Sequence, residues 1–364
     1  MDTFVCTHCG EQWDIEDRHN FDGAELCPDC FHEETVVCEH CGRRIWADNA
    51  VDSDRVLCEG CYEDYYVNCE GCGRTLHNDD AYYFDDGNDY PYCHNCYEQR
   101  CSGEYIHDYS FKPEPIFYGD GTRYFGVELE IDIGGRDSEY AQELLDIANV
   151  DDEHIYIKSD GSLNDGIEIV THPMTLDYHK YFNWNKIMRK AVALGYRSHQ
   201  TSTCGLHIHV NRTSLGETHD EQEETISRIL YFVEHHWNEM LKFSRRSESA
   251  MNRWASRYGY EPSPKAILDK AKKGNYGRYA AVNLCNYHTV EFRLFRGTLK
   301  MNTLIAALQL VNEICSAALF MSDDRIQALS WSEFVSGITE TELIKYLKER
   351  NLYVNEKINS EEDM

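Results

Sequence analysis

The sequence predicts an α+β fold, an antiparallel sheet with packed helices, which follows a cysteine-rich region of three small repeats. Three observations support this prediction. CxxC pairs recur through the first hundred residues of the 364-residue chain. Segments in which polar and apolar residues alternate, the pattern of half-buried strands, recur farther along the chain. Stretches with helical periodicity lie between these alternating segments.

The amino-terminal repeats begin at Cys6, Cys38 and Cys69, with a period of about 32 residues. Each repeat contains two CxxC turns, and the four thiolates of two such turns suit the tetrahedral coordination of zinc. The few apolar residues between the turns cannot form a core, so we expect metal binding to supply the folding energy. The sequence therefore predicts three zinc ribbons, spanning residues 6–30, 38–61 and 69–96. Their ligands would be Cys6, Cys9, Cys27 and Cys30, then Cys38, Cys41, Cys58 and Cys61, then Cys69, Cys72, Cys93 and Cys96.

Charge separates this region from zinc domains that read DNA. The chain has a formal net charge of −29, and residues 1–119 carry 27 acidic side chains against 7 Lys or Arg. A DNA-reading module needs a basic surface, so no nucleic acid is expected as a partner. The ribbons are expected to stabilise the protein or to recruit a protein partner. The stretch 242–300 is locally basic and fits either a solvated helical face or a surface that faces phosphates.

The chain carries features of an intracellular protein. Its first residues, MDTFVCTHCG, do not resemble a signal peptide, and no segment approaches the roughly 18 apolar residues of a membrane span. Paired CxxC thiols act as metal ligands in a reducing compartment. We therefore expect a cytoplasmic protein without a membrane association, in which Cys101, just after the repeats, is a free thiol.

The domain organisation follows from these patterns. Residues 1–110 form the ribbons, 111–122 form a linker with prolines and glycines, 123–355 form the α+β domain, and 356–364 form an acidic tail. The predicted strands are YFGVELEID, GIEIVTHP, GLHIHVN, and a hairpin of AVNLCN with TVEFRLFRG. The predicted helices are SEYAQELLDIA, TLDYHKYFNWNKIMRKAVALG, DEQEETISRILYFVEHHWNEMLKF, TLIAALQLVNEICSAALF and TETELIKYLKER.

Charged residues share one face of each of these strands. Side chains alternate along a strand, so Glu128 and Glu130 point to the same side. Such neighbouring carboxylates repel one another, but they suit a hard cation such as magnesium. Three further segments repeat the pattern, namely His207 with His209, Glu291 with Arg293, and Glu168 after a turn that contains Asp160.

Each pattern alone has an ordinary structural interpretation. Glu128 and Glu130 fit a polar stripe that faces solvent, and the two histidines fit buried residues whose hydrogen bonds are satisfied within the core. Glu291 and Arg293 fit a cross-strand salt bridge, and Asp160 fits a turn. Four such segments in one domain favour a shared site for metal and phosphate.

The motifs GVELE, KSDGSL followed by GIEIVTHP, CGLHIHV, GRYAAVN and TVEFRLFRGT occur in this order over roughly residues 124–319. In this order they resemble the amidoligase family, which is similar to glutamate–cysteine ligase and, more distantly, to glutamine synthetase. The resemblance implies a curved antiparallel sheet of the glutamine-synthetase-like type, whose concave face holds ATP and two or more divalent metals. The cysteine repeats lie outside the resemblance.

The resemblance also implies roles for individual residues. His209 would contact ATP phosphates, and Arg278 and Asn283 would lie near nucleotide or substrate. Arg293 and Arg296 would neutralise the transferring phosphoryl group, and we include Asp160 among the catalytic candidates. The single glutamate of the middle motif leaves the number of metals open. The ligands of Mg²⁺ or Mn²⁺ would be Glu128, Glu130, Glu168, His207 and Glu291.

The implied activity is ATP-dependent ligation of a carboxylate to an amine through an acyl phosphate. The substrates would be amino acids, peptides or proteins, and the ribbons would recruit a substrate or partner. Three alternatives stay open. These are a phosphotransferase of the guanidino-kinase type, a non-catalytic zinc-ribbon adaptor, and a zinc hydrolase that uses His207 and His209.

Overall fold

The computed structural model describes residues 3–51, 53–83, 90–94, 96–97, 105–274 and 276–353. The chain divides into two compact units, one of Met1–Glu104 with Lys112–Glu114 and one of Tyr105–Phe111 with Pro115–Met364. Cys101 and the acidic tail at 356–364 lie outside the described residues. The domain limits and the linker predicted from the sequence stay predictions.

The cysteine-rich unit is built from short antiparallel hairpins. Hairpins β1–β2, β5–β6 and β7–β8 repeat once per cysteine repeat, and β3–β4 is an additional hairpin in the first repeat. A 3₁₀ helix follows the second strand of each repeated hairpin, at Ile15–Asp17, Ala47–Asn49 and Asn78–Asp80. The strands are β1 (Thr3–Val5), β2 (Gln12–Asp14), β3 (His19–Phe21), β4 (Ala24–Leu26), β5 (Thr35–Val37), β6 (Arg44–Trp46), β7 (Tyr66–Asn68) and β8 (Thr75–His77), and the helices are α1 (Pro28–Glu33) and α2 (Glu59–Tyr65).

One aromatic side chain joins each repeat to the repeat before it. Trp46 ends β6 and His77 ends β8, so the two residues hold the same place in successive repeats. The Trp46 ring meets the edge of Phe21 at 5.1 Å between centroids, and His77 stacks on His40 at 5.8 Å. Because each repeat packs on its neighbour through the same position, the repeats form a tandem array.

The second unit contains a six-stranded antiparallel sheet in the order β10-β11-β9-β12-β14-β13. This arrangement, with its packed helices, confirms the prediction of a mixed helix-and-sheet domain. Strand β10 was not predicted, because four residues are too few to establish an alternating pattern. The strands are β9 (Phe125–Ile131), β10 (Ile155–Lys158), β11 (Ile167–Thr171), β12 (Gly205–Asn211), β13 (Val282–Asn283) and β14 (Thr289–Arg296).

Two long helices predicted from the sequence are interrupted in the structure. Phe182 has extended backbone angles and ends one helix, and His236 departs from helical angles and separates two others. Four further helices were not predicted from the sequence, at Glu248–Trp254, Pro264–Lys273, Asp323–Ala328 and Trp331–Ser336. The helices are α3 (Ser138–Ala148), α4 (Leu176–Tyr181), α5 (Trp184–Ala193), α6 (His219–His235), α7 (Trp237–Ser244), α8 (Glu248–Trp254), α9 (Pro264–Lys273), α10 (Met301–Phe320), α11 (Asp323–Ala328), α12 (Trp331–Ser336) and α13 (Thr341–Glu349).

The hydrophobic core lies on one side of the sheet. Val127, Leu129 and Ile131 of β9 are fully buried there, as strand alternation requires. Helix α10 is long and apolar enough to cross a membrane by length and composition, which the sequence expectation had excluded. However, 72% of its most apolar stretch is buried inside the fold, as in a core helix of a globular protein.

Candidate active site

Strand pairing brings the predicted acidic and histidine residues together on the other face of the sheet. Glu130 of β9 is the register partner of Glu168 on β11, and Glu128 is the partner of His207 on β12. His209 is in turn the partner of Glu291 on β14. We call this surface the carboxylate face, defined by Glu128, Glu130, Glu168, His207, His209 and Glu291.

Glu128 lies at the centre of the carboxylate face. Its Oε2 atom is 3.1 Å from His207 Nδ1, and its Oε1 atom is 3.1 Å from His209 Nε2. The His207 ring is also 3.9 Å from a carboxylate oxygen of Glu130 and 3.8 Å from one of Glu291. The imidazoles therefore lie between carboxylates that would otherwise repel one another.

The electrostatics of this cluster favour a bound cation. Burial and the nearby charges of Glu128 and Glu130 outweigh the opposing charge of Lys158 and raise the pKa of Glu168 well above its ordinary value. Burial also acts to raise the pKa of Glu128, but His209 and His207 outweigh it and lower that pKa well below its ordinary value. Since buried like charges ionise together only when a counter-charge is present, a divalent cation would relieve this repulsion.

Two sets of ligand atoms fit such cations. One donor atom from each of Glu128, Glu168 and His207 lies within 4.8 Å of the others, and the same holds for Glu128, His209 and Glu291. Both sets contain Glu128, so its two oxygens could serve two ions. Mostly carboxylate donors with one imidazole each suit magnesium or manganese better than a soft metal. His209 belongs to one of these two ligand sets, although the resemblance implied that it contacts the phosphates of ATP.

Neighbouring amides hold Glu291 in place. Its Oε2 atom accepts hydrogen bonds from Asn283 Nδ2 at 2.7 Å and from Asn286 Nδ2 at 3.1 Å, and Arg293 donates to its Oε1 atom. The prediction that Asn283 lies near nucleotide or substrate stays a prediction; in the structure its amide group donates to Glu291. Asn286 was not predicted, and only its position three residues after Asn283 could have indicated it.

Arg246 is a second residue that the sequence did not single out. It lies beside Glu130 and is mostly buried, and this burial lowers its pKa to about 10. A side chain at Gly205 would collide with the Arg246 guanidinium and would lie 2.7 Å from His207 Nε2, so glycine leaves room for both groups. The only sequence signal for Arg246 is its position in the basic stretch 242–300.

The remaining predicted residues lie around this cluster. Arg296 is the register partner of Gly205 at the end of β14, close enough to Arg246 for the two charges to interact. Arg278 is exposed and donates to the hydroxyl groups of Tyr109 and Tyr279. Asp160 accepts from the Ser162 backbone N–H at 2.5 Å, as a turn residue does, and belongs to neither of the two ligand sets above.

The cysteine tetrads fit zinc by their own geometry. Each of the three predicted sets has its four sulfur atoms within 4.8 Å of one another. The backbone N–H of Cys27 donates to Cys6 Sγ at 3.4 Å, and corresponding bonds reach Cys38 Sγ at 3.4 Å and Cys69 Sγ at 3.2 Å. Burial acts to raise the pKa of Cys6 and of Cys38, but backbone N–H donors outweigh it and lower both to about 6. The thiolate, the form that binds zinc, is therefore favoured at Cys6 and Cys38, whereas burial and neighbouring thiols raise the pKa of Cys30 and Cys61 in the same tetrads.

Comparison with known proteins supports the resemblance stated above. A family model described as "Putative amidoligase enzyme" matches residues 146–315, which confirms the resemblance over that part of the chain. The matched span begins after β9, so Glu128, Glu130 and the cysteine tetrads lie outside it. No curated protein matches the chain.

Among solved structures, the chain is similar to the crystal structure of a bifunctional glutathione synthetase from Pasteurella multocida. The TM-score is 0.37 and the sequences are 14% identical, over 63% of this chain and 46% of that chain. The chain thus spans less than half the length of that protein.

Proposed function

We propose that this chain, which resembles the amidoligase family over residues 146–315, is an ATP-dependent carboxylate–amine ligase. The observation that carries the proposal is the carboxylate face, where acidic and imidazole donors for cations lie beside Arg293. Ligation at this site would join a carboxylate and an amine from amino acids, peptides or proteins. The proposal includes a sheet of the glutamine-synthetase-like type, a cytoplasmic location, and zinc ribbons that recruit a substrate or partner.

The residues divide the work by their chemistry. Glu128, Glu130, Glu168, His207, His209 and Glu291 would hold Mg²⁺ or Mn²⁺, and the Gly205 N–H, which donates to Glu130, would orient that carboxylate. When bound, these cations would screen the negative charges of the phosphates and of the substrate carboxylate.

Arg293 is placed to meet a phosphoryl group. One of its terminal nitrogens donates to Glu291, which orients the guanidinium. Its buried Nε atom has no hydrogen-bond partner among the residues that the structure describes. A buried N–H without a partner is costly, so a ligand acceptor at this point would satisfy it. Guanidinium donors stabilise the charge that develops on a transferring phosphoryl group.

The proposed reaction proceeds in two steps. A carboxylate oxygen of the acid substrate attacks the γ-phosphorus of ATP, the bond to the β-phosphate oxygen breaks, and ADP leaves with the bonding electrons. The amine nitrogen of the second substrate then attacks the acyl carbon of the acyl phosphate. Phosphate leaves with the C–O bonding electrons and the nitrogen loses a proton to water, so the amide is complete.

Products distinguish this function from its alternatives. We would incubate the protein with ATP, Mg²⁺ and pooled amino acids and peptides, and measure ADP, phosphate and new masses. Ligation yields free phosphate and a product lighter by one water than its two parts. A phosphotransferase would instead yield a phosphorylated amine without free phosphate.

Two variants accompany this assay. Glu128→Gln should abolish product formation, because Glu128 belongs to both ligand sets. Glu217→Gln changes an exposed glutamate outside the sheet and should leave the rate unchanged. Full activity of Glu128→Gln would contradict the assigned site. If ATP does not bind to the wild-type protein, the result would favour the alternative of a non-catalytic zinc-ribbon adaptor.

A further inference from the structure

A short segment outside the matched family span pairs with the edge of the sheet. We call residues Tyr105–Phe111 the strap; they belong to the second unit. The His107 N–H donates to the Ile157 carbonyl at 2.8 Å, and the Ser159 N–H donates to the His107 carbonyl at 2.8 Å. The strap therefore extends the sheet beyond its edge strand β10.

Aromatic packing fixes one end of the strap. The rings of His107 and Phe111 stack with centroids 3.7 Å apart, and Phe111 meets the edge of Tyr156 at 5.5 Å. Phe111 is buried. These contacts, together with the backbone hydrogen bonds, place the strap against β10 and Tyr109 beside Lys158.

Tyr109 lies between two cations. Its ring centroid is 5.1 Å from Lys158 Nζ and 5.6 Å from Arg278 Cζ, and its hydroxyl accepts a hydrogen bond from Arg278. The contacts continue beyond Arg278. The Arg278 guanidinium is 5.1 Å from the Tyr279 ring, and that ring is 5.9 Å from Arg293 Cζ. Two tyrosine rings thus link three cations in a row.

This row passes over the carboxylate face. Lys158, on β10, points to that face because its Nζ atom is 4.0 Å from Glu168 Oε2. Arg293, on β14, also points to the carboxylate face, because its guanidinium forms an ion pair with Glu291. Strands β11, β9 and β12 separate β10 from β14, so the row spans four inter-strand spacings, roughly 19 Å of sheet. The row therefore forms an arch above the candidate metal ligands.

We propose that Tyr109 is a positioning residue, whose contacts hold Lys158 and Arg278 together above the carboxylate face. We call these contacts the latch. A phosphate-bearing ligand enters and leaves the site when they break. This inference rests on the proposed function for its ligand, a nucleoside triphosphate. Tyr109 is 49% exposed, and cation–aromatic contacts at exposed sites are weak, so the latch opens readily. When the arch is closed, Lys158, Arg278 and Arg293 surround the ligand with positive charge.

The kinetics of nucleotide binding test the latch. A fluorescent N-methylanthraniloyl derivative of ATP, with Mg²⁺, would be mixed with the full-length protein in a stopped-flow instrument. Tyr109→Ala should raise the association and dissociation rates together, each roughly tenfold, because both steps require the arch to open. Tyr109→Phe keeps the ring between the two cations and should stay near the wild-type rates. Tyr287→Ala removes a tyrosine that is 87% exposed and serves as the matched control.

Other outcomes would overturn the latch. A change confined to the dissociation rate would make Tyr109 an ordinary ligand contact, and unchanged rates would remove its role altogether. If the wild-type protein does not bind the probe, the proposal that it uses ATP fails. The latch is then tested by an experiment that needs no ligand. Amide hydrogen exchange should then be roughly tenfold faster in the strap of Tyr109→Ala than in that of Tyr109→Phe. Equal exchange in these two variants would refute the latch.

Discussion

Glu128 and His207 face each other across neighbouring strands, with the carboxylate oxygen Oε2 3.1 Å from the imidazole nitrogen Nδ1. The register of β9 and β12 pairs these two residues directly, so their contact is built into the sheet rather than into a loop. A site on paired strands holds its ligand atoms more precisely than a loop does. This contact is therefore the most informative place to test the proposed metal site.

Replacing Glu128 with Gln should weaken the binding of Mn²⁺ about tenfold to a hundredfold, because the amide leaves a single neutral oxygen in place of the two charged oxygens that could serve the two ions. Mn²⁺ binding can be measured by electron paramagnetic resonance of the free ion, independently of any substrate. Glu217→Gln is the control and should bind Mn²⁺ as the wild-type protein does. Wild-type affinity in Glu128→Gln would show that the carboxylate face is not a metal site.

A pair of glycine substitutions tests the space around His207. A Cβ atom at Gly205 would collide with Arg246 and crowd His207, so Gly205→Ala should displace both groups. We expect about 1–3 kcal/mol of destabilisation and at least a tenfold loss of Mn²⁺ affinity. Gly126→Ala is the matched control on the adjacent strand, where the nearest atom to the new Cβ is 3.6 Å away. Chemical denaturation and Mn²⁺ titration should separate the two variants; similar behaviour would contradict the crowding argument.

The sequence predicted the parts of the site that depend on local periodicity. Alternation along single strands was enough to place Glu128 with Glu130 and His207 with His209 on common faces. Antiparallel pairing of these strands, which the resemblance implied, then brings them together in the structure.

Residues that reach the site through tertiary contacts left no comparable signal. Arg246 follows the end of α7, and Tyr109 reaches the carboxylate face only because the strap pairs with β10. No periodic pattern in the sequence encodes either contact. The break at Phe182 escaped prediction for a similar reason, since aromatic residues are acceptable within a helix and tertiary packing decided the backbone there.

The cysteine tetrads predict a defined zinc content. Three tetrads should bind three zinc ions per chain, measured by inductively coupled plasma mass spectrometry after dialysis. Cys41→Ser removes one ligand from the second tetrad and should lower the content to about two, because structural zinc requires four ligands. Cys285→Ser is the matched control, since Cys285 is an exposed thiol outside the tetrads. Three bound zinc ions in Cys41→Ser would contradict the assignment of that tetrad.

Glu313, on helix α10, has an environment that couples folding to pH. Partial burial, followed by the charge of Glu340, raises its pKa to about 7. The folded state therefore holds this proton more tightly than the unfolded state does. The resulting stabilisation is complete below the ordinary glutamate pKa, near 4.5, and is lost as the pH rises through about 7.

Replacing Glu313 with Gln should therefore stabilise the protein at pH 8 and have little effect near pH 4.5. We expect a gain of about 1–2 kcal/mol at pH 8, a figure reduced for partial exposure to solvent. Urea denaturation at both pH values measures the difference in the free energy of unfolding between variant and wild type. The titration of other groups cancels in this difference.

Glu340→Gln should produce a gain in stability of the same sign, since it removes the neighbouring charge. Glu217→Gln changes an exposed residue that precedes helix α6, and its small effect should be equal at the two pH values. A gain from Glu313→Gln that is the same at pH 4.5 and pH 8 would show that the folded protein does not raise this pKa.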